Sequence, residues 1–114
     1  MGAFAAGSVV LVPFPFSDLT RSKLRPAVVL AEADRGDLIL CQVTSNPYSD
    51  GAAVALTSSD FLVGSLQRVS YARPGKLFTA NTSLIVGDAG MLRDAARDRI
   101  VDAVIAILRR APKR

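Results

Sequence analysis

The residues able to do chemistry in this chain are few, and their types narrow the possibilities. Among 114 residues there is no histidine and a single cysteine, Cys41, so catalysis by an imidazole base is excluded. The carboxylates are scattered without the spacing of a metal-ligand set, so we expect no metal site and no other cofactor. The eight glycines stand singly, and no glycine-rich phosphate loop is present.

Arg25 is the first candidate among the residues that remain. Its guanidinium is a planar fork of donors that can grip a phosphate while negative charge builds up on it. It directly precedes Pro26, which restricts the backbone of Arg25 to extended conformations and helps to set its direction. The alternative is a solvated surface charge, and the same alternative holds for three further cations that could line a phosphate backbone. These are Lys23, Arg73 and Lys76.

Two hydroxyls and two aromatic rings complete the candidates. Thr44 and Ser45 end a predicted strand, where a hydroxyl could donate to a phosphate oxygen or simply bond a neighbour. If the strand continues, the two side chains point to opposite faces, and we favour Thr44 for the site. Phe14 and Phe16 alternate with prolines; one is expected to close the core, while the other, for which Phe16 is the candidate, stacks on an unpaired base.

Short strands must position these residues. β-branched and apolar runs bounded by turn formers recur roughly every 10–12 residues, which is typical of a small all-β barrel or sandwich. The predicted strands are residues 8–12, 26–31 and 38–44, weaker ones at 53–56, 65–72 and 84–86, and an extended piece at 76–79. The last part of the chain differs from these strands, because its apolar residues follow a helical pattern.

That predicted helix runs from about residue 94 to residue 110. Asp94 and Asp98 lie near its start and two arginines near its end, as the helix dipole prefers. Between Ile100 and Leu108 only Asp102 is polar, which is more apolar surface than one buried face requires. Either the helix lies unusually deep or a second subunit covers it, and we favour a homodimer.

Length, net charge and composition limit the remaining possibilities. The length predicts a single domain over residues 1–114. A net charge of +4 is compatible with a polyanionic partner or with solubility alone. No apolar run is long enough to span a membrane, and the N-terminus lacks the pattern of a signal peptide. Because a lone Cys41 cannot form an internal disulfide, we expect the protein to reside in the reducing cytoplasm.

Five local sequences follow one another in a characteristic order over nearly the whole chain. They are GSVVLVPFPFSD at 7–18, KLRPAVV at 23–29, QVTS at 42–45, SYARPGKLFT at 70–79 and GDAGML at 87–92. Together they resemble the toxins of the MazF/PemK/Kid type, from type II toxin–antitoxin systems. The resemblance implies a mainly β fold, an SH3-like small barrel with a C-terminal helix. It also implies a homodimer, a cognate antitoxin as partner, and endoribonuclease activity at short sequences in single-stranded RNA.

The same resemblance implies roles for the candidates. Arg25 and Thr44 match the pair that stabilises the phosphate while a 2′-OH attacks it, without metal, to leave a cyclic phosphate and a 5′-OH. The RNA-binding set would be Phe16, Lys23, Ser45, Arg73 and Lys76. The chain departs from the pattern at Gly75, where some members carry a carboxylate. Arg25 cannot readily replace that carboxylate as a base, because an arginine pKa stays above ~12.

Two alternatives stay open. The first is a catalytically inactive barrel that only binds nucleic acid or a regulator, which Gly75 and the lack of histidine would suit. The second is a gyrase poison of the CcdB type, which shares this fold. Those poisons act through a C-terminal end that contains tryptophan, whereas this chain has no tryptophan and ends in Pro112-Lys-Arg114. An RNA cleavage assay separates the three classes.

Overall fold

Seven strands and one long helix make up the part of the chain that the structure describes. This computed structural model describes residues 4–15, 22–47, 49–110 and 112. The strands are β1 Ser8–Pro15, β2 Ser22–Glu32, β3 Asp37–Thr44, β4 Val54–Leu56, β5 Phe61–Gly64, β6 Ser70–Asn81 and β7 Gly87–Leu92. The helix α1 spans Asp94–Arg109, and short 3-10 turns lie at Ser58–Asp60 and Thr82–Leu84.

The strands form one antiparallel sheet in the order β4-β6-β3-β2-β1-β7-β5. The sheet is curled into a half-barrel, with α1 packed against one of its faces. The predicted fold class, a small SH3-like barrel with a C-terminal helix, is therefore confirmed. Strand β2 lies at the centre of the sheet; its first residues pair with β1, and its pairing with β3 begins at Ala27.

Both faces of the sheet are buried, and strand alternation explains how. Successive side chains of a strand point to opposite faces, so Val9 and Cys41 pack with Ile100 of the helix. Their chain neighbours Val10 and Leu40 point to the other face and belong to a second apolar cluster. The mostly apolar strands of the sequence are thus explained by a sheet covered on both sides.

Two predicted strands are wrong in position. Residues 65–69 form no strand, because β5 ends at Gly64 and β6 begins at Ser70. Gly64 has φ +72 and approaches Gly90 and the Ala89 carbonyl so closely that no Cβ would fit there, and this backbone conformation ends the strand. By contrast, the extended piece predicted at 76–79 is confirmed as part of the long strand β6.

The strand predicted at 84–86 is also absent. The Asn81 side chain accepts a hydrogen bond from the Ser83 amide at 3.0 Å and starts the 3-10 turn at Thr82–Leu84. Such a local side-chain bond competes with sheet pairing, so strand β7 begins only at Gly87.

The helix α1 follows the prediction and buries one face. Ala96, Ile100 and Val104, four residues apart, are its buried residues, as helix geometry requires of a single contact stripe. Ile105 and Leu108 remain exposed large apolar side chains. The apolar stretch is therefore wider than the face that the sheet covers. No helix in the described part of the chain is both long and apolar enough to cross a membrane.

Candidate functional site

Arg25 and Thr44 lie at the same end of two neighbouring strands. The β2–β3 pairing runs through Val28–Cys41 to Ala27–Gln42, and two residues further along each strand come Arg25 and Thr44. Because side chains two apart share a face, this register directs both candidates to the same face of the sheet. Both residues are half-buried.

Lys23 extends this end of the sheet along β2. On the other side of β2, Arg25 pairs with Val12 and Lys23 pairs with Phe14 of β1. Lys23 and Arg25 are two residues apart, so they share a face, and Lys23 is exposed. Two cations therefore stand in a row beside the apolar residues of β1.

A shallow apolar cleft adjoins this row of cations. It has a volume of about 320 Å³ and is lined by Val12, Pro13, Phe14, Phe78, Thr79, Ala80 and Leu84. The rings of Phe14 and Phe78 meet edge to face with their centroids 5.0 Å apart, and Phe14 packs against the second apolar cluster. Phe14 thus has the core-closing position expected of one of the two phenylalanines. Phe16 lies outside the described residues.

The hydroxyl of Thr44 closes the turn after β3. Its Oγ1 accepts a hydrogen bond from the Asn46 amide at 3.1 Å, so the hydroxyl oxygen is held at the strand end while its hydrogen can be donated. Strand β3 ends at Thr44, and Ser45 follows as an exposed bend residue. The condition for opposite faces, a strand that continues through Ser45, is therefore not met.

Strand β6 contains a large bulge of four residues, Arg73–Lys76. Cys41 pairs with Leu77, but Val43 pairs with Ala72, so the four residues 73–76 all stand opposite Gln42. A bulge of this kind redirects side chains and bends the strand. Pro74, which has no amide to donate, is fully buried within it.

Cys41 anchors this bulge from the neighbouring strand. Its Sγ donates to the Arg73 carbonyl oxygen at 3.2 Å. Burial raises the pKa of the Cys41 thiol to about 12, so the thiol keeps the proton that it donates. The lone cysteine of the sequence is therefore a structural donor that holds the backbone of Arg73.

Arg73 is held at its side chain by a carboxylate that the sequence did not indicate. Its Nε lies 3.0 Å from Oδ2 of Asp50, and the Ala52 amide donates to Oδ1 of Asp50 at 3.0 Å. The hydrogen bond from Arg73, followed by that from Ala52, lowers the pKa of Asp50 below its ordinary value of 3.8. Residues 46–51 read only as turn formers, and a pair 23 residues apart leaves no local pattern.

The other two positions of the bulge differ in character. Lys76 is exposed, and its charge also contributes to the lowered pKa of Asp50. Gly75 is exposed as well, and a Cβ there would meet only Cδ1 of Ile107, at an ordinary 3.8 Å. Position 75 therefore has room for a side chain, but the nearby carboxylate comes from Asp50 instead.

Strand order brings the candidates to one end of the sheet. Strands β2, β3 and β6 are neighbours in that order and run antiparallel, so the start of β2, the end of β3 and the first half of β6 lie together. The candidates on these segments are Lys23, Arg25, Thr44, Arg73 and Lys76, with Ser45 directly after β3. Within the described ranges, no three acidic or thiol side chains group as metal ligands would.

The fold defines a class, the small curled half-barrels with a C-terminal helix, and solved MazF structures share it. No protein-family model matches the sequence, and no curated protein matches it either. A MazE–MazF complex from Deinococcus radiodurans superimposes with a TM-score of 0.75 at 18% identity, covering 97% of this chain and 100% of that one.

Two further structures agree with this match. An endoribonuclease in complex with its cognate antitoxin, from a mycobacterial species, has a TM-score of 0.72 at 16% identity and covers 99% of this chain and 100% of that one. The Mycobacterium tuberculosis toxin MazF-mt6 has a TM-score of 0.63 at 14% identity, over 87% and 95% of the two chains. The chain has the MazF fold, so the resemblance in the sequence is confirmed at the level of fold.

Proposed function

We propose that this protein is the toxin of a type II toxin–antitoxin system and cleaves single-stranded RNA at specific sequences in the cytoplasm. The observation that carries the proposal is the register of β2 and β3, which directs Arg25 and Thr44 to one face at one end of the sheet. A guanidinium beside a hydroxyl suits a phosphate that gains negative charge. The fold is shared with solved endoribonucleases over nearly the full chain.

The proposed reaction is an internal transfer on the RNA backbone. The 2′-hydroxyl gives up its proton to solvent as its oxygen forms a bond to the adjacent phosphorus, the bond from phosphorus to the 5′-oxygen breaks, and the departing 5′-oxygen takes up a proton from solvent. Arg25 stays protonated throughout, so its role is to stabilise the charge on the five-coordinate phosphate. Thr44 donates its hydroxyl hydrogen to a phosphate oxygen. Lys23, Ser45, Arg73, Lys76 and Phe16 bind the flanking RNA.

Cleavage is expected to persist in excess EDTA and to leave 5′-hydroxyl ends. The chain has no histidine, and the described carboxylates form no ligand cluster, so the stabilising charge would come from fixed protein donors. The test incubates purified protein with a mixed RNA pool and sequences the new 5′ ends. Activity that EDTA abolishes and added metal restores would contradict this mechanism.

The inactive barrel is the second candidate, and Gly75 favours it. The assay just described also tests this alternative, because such a protein would bind single-stranded RNA oligonucleotides and leave them intact. Retained binding without new 5′ ends, across the whole RNA pool, would therefore replace the proposed function by this one.

We also propose that the protein acts as a homodimer and expect a species of about twice 12.0 kDa at micromolar concentration. The exposed apolar side chains Ile105 and Leu108 on α1 offer a surface for the second subunit, and an interface of normal size holds at that concentration. Sedimentation velocity measures the mass. Leu108→Lys should shift it toward monomer, whereas Leu62→Lys, also at an exposed leucine but on strand β5, should not. A monomeric wild type contradicts the proposal.

A cognate antitoxin is the second proposed partner. The basic surface predicts an acidic segment that is disordered alone and folds across the RNA-binding end of the sheet. Saturating the protein with such an antitoxin should displace a fluorescent RNA oligonucleotide, measured by anisotropy. If both ligands bound tightly at once, the antitoxin would occupy a separate regulatory surface.

A further inference from the structure

The pair of Asp50 and Arg73 joins the loop after β3 to the bulge of β6. We propose that Asp50 is a positioning residue, which aims the Arg73 guanidinium at the RNA and at the same time offsets part of the positive charge that attracts RNA. The inference rests on the proposed function, because it assigns Arg73 to the RNA-binding end of the sheet.

Arg73 is held at both its backbone and its side chain. The Arg73 carbonyl oxygen accepts a hydrogen bond from Sγ of Cys41 at 3.2 Å, and the next residue, Pro74, is fully buried. Its Nε donates to Asp50 at 3.0 Å, and the two side chains are only 19% and 18% exposed. A long cation with a fixed backbone and one fixed donor loses much of its rotamer freedom before any ligand arrives, which is what positioning requires.

The described residues on both sides of Asp50 are held by hydrogen bonds. The Asp50 amide donates to the Pro47 carbonyl at 2.9 Å, and the Ala53 amide donates to the Asp50 carbonyl at 3.1 Å. Near the start of the loop, the Asn46 amide donates a hydrogen bond to the hydroxyl of Thr44. One short loop therefore connects the hydroxyl of Thr44 to the guanidinium of Arg73.

Asp50 is better suited to orient a cation than to accept a proton. Each of its carboxylate oxygens already accepts a hydrogen bond, from Arg73 and from Ala52. These bonds lower its pKa, so the group is a carboxylate at neutral pH and a poor base. A negative charge this close to Arg73 and Lys76 also weakens the attraction of this end of the sheet for a polyanion.

Removing the charge of Asp50 should therefore move binding and cleavage in opposite directions. Asp50→Asn is expected to bind RNA about threefold more tightly at low salt, with a salt dependence steeper by about 0.7 in the logarithmic slope, the value for one charge on a single strand. Its single-turnover cleavage rate is expected to fall about 10- to 100-fold, because the guanidinium loses its aim. Simple loss of stability would weaken both properties together.

The chain contains a matched control for this variant. Asp60 forms an ion pair with Arg99 at the same 3.0 Å, and Asp60 is likewise 18% exposed, but the pair lies between the 3-10 turn before β5 and the helix. Asp60→Asn removes an equivalent charge and should leave the ratio of binding to cleavage unchanged. Circular dichroism melts of both variants report any loss of fold.

The test measures single-turnover cleavage of one defined RNA, and the affinity for the same RNA with a 2′-O-methyl group at the cleavage site. It uses wild type, Asp50→Asn, Asp60→Asn, Arg73→Gln and the double variant Asp50→Asn/Arg73→Gln. The effect of Asp50→Asn on the cleavage rate should vanish in the Arg73→Gln background, since coupled residues are not additive.

Equal effects of Asp50→Asn and Asp60→Asn on cleavage, or additive effects of Asp50→Asn and Arg73→Gln on cleavage, would overturn the positioning role. Wild-type cleavage would leave the proposed function standing in that case. A wild type that binds RNA without cleaving it would refute both the enzyme and the positioning role; tighter binding by Asp50→Asn than by Asp60→Asn would then support the charge offset alone, and equal binding would overturn that too. A wild type that neither binds nor cleaves RNA would refute both.

Discussion

Replacing Arg25 by alanine is expected to slow RNA cleavage by about 10²–10³-fold, the usual cost of removing one aimed donor group at a developing negative charge. A charged fork can cost more than this. Arg25 is half-buried rather than fully exposed, so a stability loss of about 1 kcal/mol is expected, far less than would unfold the domain. The decisive measurement is single-turnover cleavage of a defined RNA, with thermal melts alongside.

Three companion variants sharpen that result. Arg25→Lys should fail to rescue, because a point charge does not reproduce the planar guanidinium. Thr44→Val should fall between wild type and Arg25→Ala, having lost only a neutral hydrogen bond. Arg35→Ala is the control, since Arg35 lies in the turn at the far end of β2 and β3. Near-wild-type cleavage by Arg25→Ala would end its assignment and move Arg73 into its place.

Leu40→Ala is expected to destabilise the fold by about 3–5 kcal/mol, the range found for fully buried leucines. Leu40 is 0% exposed and lies on β3, an interior strand of the sheet, where the surrounding backbone is paired on both sides and can collapse little into the space. A loss of this size is a large part of the total stability of a small domain. Urea unfolding followed by circular dichroism measures it.

Leu62→Ala removes the same atoms from an exposed position and is the matched control. Leu62 is 60% exposed on strand β5, so its truncation should change the unfolding free energy by no more than about 0.5 kcal/mol. If the two variants melted alike, the second apolar cluster, which contains Leu40, would not be the core that the burial of Leu40 indicates.

The sequence by itself was sufficient for the fold class and most elements. Strand alternation, turn formers and the charge pattern of α1 act over a few residues, so they can be read locally. Residues 65–69 and 84–86 were wrongly predicted as strand, because Gly64 and Asn81 form contacts that the apolar pattern does not reveal. Residues 70–72 of the same prediction do lie in strand β6.

The types of the candidate site residues were also available from the sequence: the Arg25-Pro26 pair, the hydroxyl of Thr44 and the cations of the later strand. Only the tertiary structure determined the positions of these residues relative to one another. The register directs Arg25 and Thr44 to one face, the bulge places four residues opposite Gln42, and Asp50 meets Arg73 across 23 residues. Such arrangements depend on pairing between distant segments, and the free energy of that pairing belongs to the folded sheet rather than to any local stretch of chain.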